Sequence, residues 1–85
     1  MAVVVLPSLL ASQAGGQGRF ELEAATVHEA LRALPVADLL FDEQGALRAL
    51  VNVYVDGDDV RERDGLGTRL ETRSTIRIVQ AVAGG

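Results

Sequence analysis

The sequence predicts an α+β fold in which one main helix packs across one face of a small mixed β-sheet. Two observations lead to this prediction. Runs rich in β-branched residues lie near both ends of the chain, at residues 2–6 and 75–82. Between them, Thr26 and Glu29 have the spacing of a helix capping box and are followed by apolar residues at helical spacing.

Length and composition limit the functions that the chain can have. Its 85 residues are sufficient for one domain, for which we expect residues 1–82, followed by a flexible tail at residues 83–85. The net charge of −4 disfavours nucleic acid as a partner. The absence of cysteine excludes disulfides, thiolate metal sites and cysteine nucleophiles.

No targeting or membrane segment is recognisable. The apolar opening lacks a positive n-region and is divided by Pro7, unlike a secretory signal. No run approaches the roughly 18 apolar residues of a membrane span. We therefore expect a cytoplasmic protein.

The first half predicts a hairpin. Residues 2–6 form a first strand, buried on both faces or nearly so, and residues 8–18, rich in glycine, form a flexible loop. Residues 19–24 alternate in polarity, which predicts an antiparallel second strand with Phe20, Leu22 and Ala24 facing the core.

The helix begins after Thr26 and ends before Pro35. His28 falls on its polar face without a partner motif, so we interpret it as a solvated residue. A short helical turn is predicted at residues 37–41, and a turn at residues 42–45.

The second half predicts three further strands. The first covers residues 46–55, Asp56-Gly57 is a hairpin turn, and a short return strand lies around residues 59–61. A loop at residues 62–70 precedes the final strand. We expect the core to consist of residues on one face of the helix and strands: Val27, Ala30, Leu31, Leu34, Val51, Val53, Val55, Ile76 and Ile78.

Strand alternation then assigns a second set of residues to the opposite face of the sheet. Val79 and Ala81 lie out of phase with Ile76 and Ile78, and Tyr54 lies out of phase with Val53 and Val55. Exposed apolar residues commonly mark partner sites, so these three are a predicted docking surface.

The predicted element order is β-β-α-β-β-β, with the first and last strands parallel at the centre of the sheet. This is the β-grasp arrangement of ubiquitin. The most specific stretches of the chain are Val-Asn-Val-Tyr-Val at residues 51–55, Asp-Asp-Val-Arg at residues 58–61 and the ending Ala-Val-Ala-Gly-Gly at residues 81–85. With these stretches, the chain resembles the ubiquitin-like sulfur carrier proteins of the ThiS and MoaD family, and within it the CysO type. Family members often have proline where this chain has Gln80.

The resemblance implies a defined chemistry for the tail. An E1-like enzyme consumes ATP to adenylate the carboxylate of Gly85, after which a sulfur donor displaces AMP and leaves a thiocarboxylate. Gly84 and Ala83 would carry that carboxylate through a narrow channel. The chain itself would be no enzyme and would hold no cofactor. A downstream biosynthetic enzyme would accept the sulfur for cysteine, a cofactor or a secondary metabolite.

Two alternatives stay open on the sequence alone. A ubiquitin-like modifier shares the adenylated intermediate but is joined to lysines of target proteins. A β-grasp interaction module would have an incidental Gly-Gly ending.

All eight basic residues are arginine. The base composition of the genome is one explanation. A second, compatible explanation is that a protein with an activated C-terminus benefits from having no side-chain amine to acylate.

Overall fold

The structure, a computed structural model, describes residues 1–80. Its strands are β1 (Ala2–Val5), β2 (Arg19–Leu22), β3 (Val51–Val55), β4 (Asp58–Asp59) and β5 (Thr75–Gln80). Its helices are α1 (Ser8–Gln13), α2 (Val27–Arg32) and α3 (Ala37–Leu40), with 3₁₀ turns at Val60–Glu62 and Gly65–Gly67.

The strands form one mixed sheet in the order β2-β1-β5-β3-β4. The first and last strands, β1 and β5, are parallel neighbours at its centre, and the other neighbouring pairs are antiparallel. The predicted β-grasp fold is therefore confirmed, including the central position of the strand that leads towards the C-terminus.

One face of the sheet and the helices enclose a single hydrophobic core. The nine core residues predicted on the helix and the later strands are all buried, from Val27 on α2 to Ile78 on β5. Phe20, Leu22 and Ala24, which were predicted to face the core from the second strand, are partly buried and pack against it. Leu10 of α1 and Phe41 after α3 are also part of it. Apolar burial on this scale is the main favourable contribution to folding of a small domain.

The capping box fixes the start of α2. Thr26 Oγ1 accepts a hydrogen bond from the Glu29 amide at 3.3 Å, and Glu29 Oε2 accepts one from the Ala25 amide at 2.7 Å. Two of the amides that a helix N-terminus leaves without intrahelical partners are thereby satisfied.

The β3–β4 turn is joined to the beginning of β5. Asp56 and Gly57 both have positive φ angles, 50° and 92°, as the predicted two-residue hairpin requires. The Asp56 carboxylate accepts a hydrogen bond from the Thr75 amide at 2.9 Å, and the Asp56 amide donates one to the Thr75 carbonyl, also at 2.9 Å.

Several predicted boundaries were wrong. Residues 8–18 contain α1 and are not loop throughout, because Leu10 is buried against the core. The strand predicted for residues 46–55 is confined to Val51–Val55, preceded by a turn. The return strand is Asp58–Asp59, after which the chain enters a 3₁₀ turn. β1 is buried on one face and half-buried on the other.

Candidate docking face and C-terminal site

Five strands contribute one residue each to a row across the sheet face that points away from the helices. Pairing places Arg19 opposite Val5, Val5 beside Arg77, Arg77 opposite Tyr54, and Tyr54 opposite Asp59. Directly paired residues point to the same side of a sheet. We call this side, with its neighbours Val3, Thr75, Val79 and Asn52, the outer face.

The outer face has apolar residues on its three inner strands and one exposed cation, Arg77, at its centre. Val3, Val5 and Tyr54 are half-buried, while Val79, opposite Asn52 at the β5 end, is 39% exposed. Aromatic residues and arginine are enriched at protein–protein interfaces, which this combination of tyrosine, arginine and valines matches. The predicted outward orientation of Val79 and Tyr54 is therefore confirmed, although no observation tests their binding role.

The edge at β4 carries a preorganised ion pair. The Arg61 guanidinium donates to both carboxylate oxygens of Asp59, with the shortest contact 2.7 Å between Nη2 and Oδ2. Asp59 also accepts a hydrogen bond from the Arg61 amide at 2.9 Å. The side-chain hydrogen bond from Arg61, followed by the backbone one, lowers the pKa of Asp59.

A shallow groove lies beside this pair on the outer face. It is lined by Tyr54, Thr75 and Arg77 together with the hairpin turn, Asp56 and Gly57. The groove has the Arg77 cation and the Tyr54 phenol at its wall, and Val5 lies beside Arg77 on the outer face. Sequence reasoning had not singled out Arg77 or the Asp59–Arg61 pair, because their proximity depends on the β3–β5 and β3–β4 registers.

The end of β5 has an unusual polar atom. Gln80 Oε1 is buried and accepts no hydrogen bond from residues 1–80, and it is the only side-chain nitrogen or oxygen atom among these residues of which this is true. Gln80 lies opposite Val51. It shares the core side of β5 with Ile76 and Ile78, so an acceptor without a donor stands at the last described residue of the central strand.

The predicted tail residues lie outside the described residues. Ala81, Ala83, Gly84 and Gly85 therefore stay predictions, as does the division between a domain at residues 1–82 and a tail at residues 83–85. What the structure does show is that β5, the strand that immediately precedes them, is held between two neighbours at the centre of the sheet.

His28 is exposed on α2, as predicted, but it also makes a contact. Its ring packs edge-on against the Phe41 ring, with 5.7 Å between the two centroids. The Arg32 guanidinium lies 4.1 Å from the centroid of the Phe41 ring. These contacts attach the residues after α3 to α2. They give His28 a packing role on the side of the sheet away from the outer face.

Two other kinds of site are absent from the described part of the chain. Residues 1–80 contain no group of three or more histidine, aspartate or glutamate side chains arranged to hold a metal ion. They also contain no helix long and apolar enough to cross a membrane.

Comparison with known proteins gives one consistent result. The chain matches the ThiS family model over residues 4–85. It is 32% identical, over 89 aligned positions covering 96% of each chain, to the sulfur carrier protein CysO of Mycobacterium tuberculosis.

Solved structures agree with this match. The crystal structure of M. tuberculosis CysO superposes with a TM-score of 0.86 at 28% identity, covering 96% of this chain and all of that one. A chain of the Amycolatopsis orientalis BexX/CysO complex gives 0.84 at 30% identity, with both chains fully covered. The small archaeal modifier protein 1 of Methanosarcina acetivorans gives 0.82 at 26% identity, covering 99% and 95%.

The family match extends over the whole fold and includes the positions of the glycine-rich ending, and the β-grasp topology agrees with it. The chain belongs to the ThiS family.

Proposed function

We propose that this chain is a sulfur carrier protein that holds sulfur as a thiocarboxylate on Gly85. The observation that carries the proposal is the family match, which continues through residue 85 and so includes the Gly-Gly ending. Similarity to the sulfur carrier protein CysO over 96% of the chain supports it.

The chemistry proceeds in two displacements, the first at the α-phosphorus of ATP and the second at the carbonyl carbon of Gly85. A Gly85 carboxylate oxygen attacks the α-phosphorus of ATP, pyrophosphate leaves, and a mixed anhydride with AMP forms. A sulfur nucleophile then attacks the carbonyl carbon, the bond between that carbon and the AMP oxygen breaks, and a C–S bond takes its place. An E1-like partner would supply the ATP site and the acids and bases, so that the chain acts as a carrier and not as a catalyst.

The architecture suits a carrier because the tail follows the most constrained strand. β5 is hydrogen-bonded on one side to β1 and on the other to β3. A partner that binds this domain therefore receives the chain beyond Gln80 from a fixed direction. Fixing the approach of a reacting group in advance reduces the entropy that must be lost in the reaction.

The outer face is the surface that we propose for the activating partner. It places Val79 on β5 itself, next to Arg77 and opposite residues of β3. The Amycolatopsis orientalis BexX/CysO complex supports the binding of a carrier of this fold to another protein. Val79, Tyr54 and, beyond the described residues, Ala81 are the proposed contacts.

Mass spectrometry of the C-terminal peptide tests the proposal. The purified chain would be incubated with the E1-like enzyme of its source organism, ATP and sulfide, and then digested with trypsin to release residues 78–85, since residue 77 is an arginine. We expect replacement of one oxygen of Gly85 by sulfur, dependent on ATP.

The same experiment distinguishes the alternatives. Addition of cell extract before digestion would reveal a modifier through Gly85-linked branched peptides on target lysines. A chain that is unmodified at Gly85 under both conditions would contradict the carrier and the modifier alike and would favour an interaction module.

A further inference from the structure

The eight basic side chains of this protein are all guanidinium groups, and all are exposed. They are Arg19, Arg32, Arg48, Arg61, Arg63, Arg69, Arg73 and Arg77. Surface cations are normally a mixture of lysine and arginine, which are interchangeable where no fixed geometry is required. The structure shows at which of these positions a guanidinium is required.

Two arginines make contacts that depend on the planar group. Arg61 forms a two-oxygen pair with Asp59, and Arg32 stacks on an aromatic ring. Arg19 lies 3.5 Å from Glu21, in an exposed ion pair that a lysine could also form. Lysine does not reproduce stacking or a forked pair.

Other arginines make no such contact. Within residues 1–80, the side chains of Arg48 and Arg73 form no ion pair, hydrogen bond or ring contact. Local structure therefore does not explain arginine at these two positions. At these positions, arginine and lysine differ in reactivity. A lysine can release a proton to become a nucleophilic amine, whereas a guanidinium stays charged.

We propose that the arginine-only surface keeps the activated Gly85 carbonyl from capture by this protein's own side chains, and so reserves it for a sulfur nucleophile. This rests on the proposed function. In the side reaction that is avoided, an amine nitrogen attacks the Gly85 carbonyl carbon, a C–N bond forms, AMP leaves and the amine proton passes to solvent. The product is a dead-end amide in which no sulfur is carried.

A lysine at position 48 would be harmful because this position lies near the start of the tail. The Val51 amide donates to the Arg48 carbonyl at 3.0 Å, and Val51 is directly opposite Gln80. The five residues that follow Gln80 span at most about 18 Å. A side chain at position 48 therefore lies close to where the tail begins, within the reach of its end.

Arg73 lies just before β5, at the end of that strand opposite Gln80. It precedes Thr75, so a tail would have to double back along β5 to reach it. The Met1 amine is at that end as well, because Val3 pairs with Thr75, and it donates to the Thr72 carbonyl at 2.7 Å. Position 73 thus provides a matched site for an amine that is far from the tail.

The experiment uses the chain with Gly85 as a thioester, produced by thiol cleavage of an intein fusion. Because no activating enzyme is involved, the outcome is independent of whether Gly85 is adenylated. The parent, Arg48→Lys and Arg73→Lys proteins would be incubated with limiting sodium sulfide. Thiocarboxylate and amide-linked products would then be quantified by intact mass and by peptide mapping.

We expect the parent to give the thiocarboxylate, and Arg48→Lys to give in addition an internal amide between Lys at position 48 and Gly85. A tethered group has an effective concentration on the order of millimolar, so sulfide well above about 1 mM should suppress the amide. Arg73→Lys should give clearly less of the internal amide than Arg48→Lys does. Arg48→Gln, which removes the charge without adding an amine, should behave as the parent does.

The proposal is overturned if Arg48→Lys gives no more amide-linked product than the parent at limiting sulfide. It is equally overturned if the parent itself loses a comparable fraction to amides through Met1. Neither result would bear on the thiocarboxylate at Gly85, which the ATP-dependent assay tests separately.

Discussion

Arg77 in β5 lies directly opposite Tyr54 in β3 on the outer face of the sheet. This pairing connects the strand that leads into the tail with the strand that carries the Val-Asn-Val-Tyr-Val stretch. A partner that contacts the outer face therefore contacts β5 itself. Recognition of the domain and positioning of Gly85 would then depend on the same structural element.

Replacement of Val79 by arginine should weaken activation without unfolding the protein. Val79 is 39% exposed and points away from the core, so the new side chain has room in solvent. On binding, the added charge would have to be desolvated against an apolar interface. We expect an affinity loss of about tenfold, equivalent to about 1.4 kcal/mol. The measurement is ATP–pyrophosphate exchange as a function of carrier concentration.

Leu9→Arg is the matched control for that variant. Leu9 is an exposed apolar residue, 64% accessible, on α1 and not on the outer face. Both variants should melt close to the parent temperature. Equal activation of Val79→Arg and the parent would contradict the proposal that the activating partner binds the outer face.

The Asp59–Arg61 pair predicts a specific dependence on pH. Its hydrogen bonds lower the pKa of Asp59 from an ordinary value of 3.8, so the pair stabilises the folded protein at pH values above 3.8. It is lost as the pH falls through the lower pKa of the folded state. Carboxyl-carbon NMR should show Asp59 titrating below its ordinary range, and in Arg61→Gln the midpoint should return towards it. Identical midpoints in the two proteins would show that the pair does not persist in solution.

The unsatisfied acceptor of Gln80 predicts a stabilising substitution. A buried polar atom without a partner destabilises the folded state by about 1–3 kcal/mol. Gln80→Met keeps a similar shape and removes that atom, so the free energy of unfolding should increase by up to this amount. A gain of about 1 kcal/mol would raise the melting temperature by about 4–8 °C in a domain of this size. Gln13→Met, at an exposed position on α1, should produce no comparable increase. A decrease in the melting temperature of Gln80→Met would contradict this account of the side chain.

The strongly periodic elements were predictable from sequence, because a buried face imposes its period on the residues. Val27, Ala30 and Leu31 identify the core side of α2, and Val53 and Ile78 identify that of the sheet. The central parallel pair followed from the two long β-branched runs. The outward orientation of Val79 followed from alternation alone.

The helix α1 was missed because the glycines after it dominated the interpretation of residues 8–18. Gly15 and Gly16 have φ angles of 75° and 91°, and they reverse the chain only after the helix has ended. The signal that would have revealed the helix was weak, namely Leu10 and Ala14 at a spacing of four residues, both facing the core.

The rest of the outer face depends on tertiary register, which a single sequence does not specify. Arg77 meets Tyr54 only because β3 and β5 pair with Val53 opposite Ile78. Asp59 joins the row through the two-residue turn at Asp56 and Gly57, which sets the β3–β4 register. The first of these relationships joins two strands that are separated by nineteen residues of the chain.

Truncation and extension at Gly85 test the central claim most directly. Deletion of Gly85 withdraws the carboxylate by about 3.3–3.6 Å, far beyond the roughly 0.5 Å within which reacting groups must be held. Among residues 1–80 the core ends at Ile78, seven residues before Gly85, so the deletion variant, and a variant with one added C-terminal residue, should melt as the parent does. Incubated with the E1-like enzyme, ATP and sulfide, both should form no thiocarboxylate, while the parent exchanges one Gly85 oxygen for sulfur. If the truncated chain acquired sulfur at its new end at a rate comparable to the parent, the proposed carrier mechanism would be wrong.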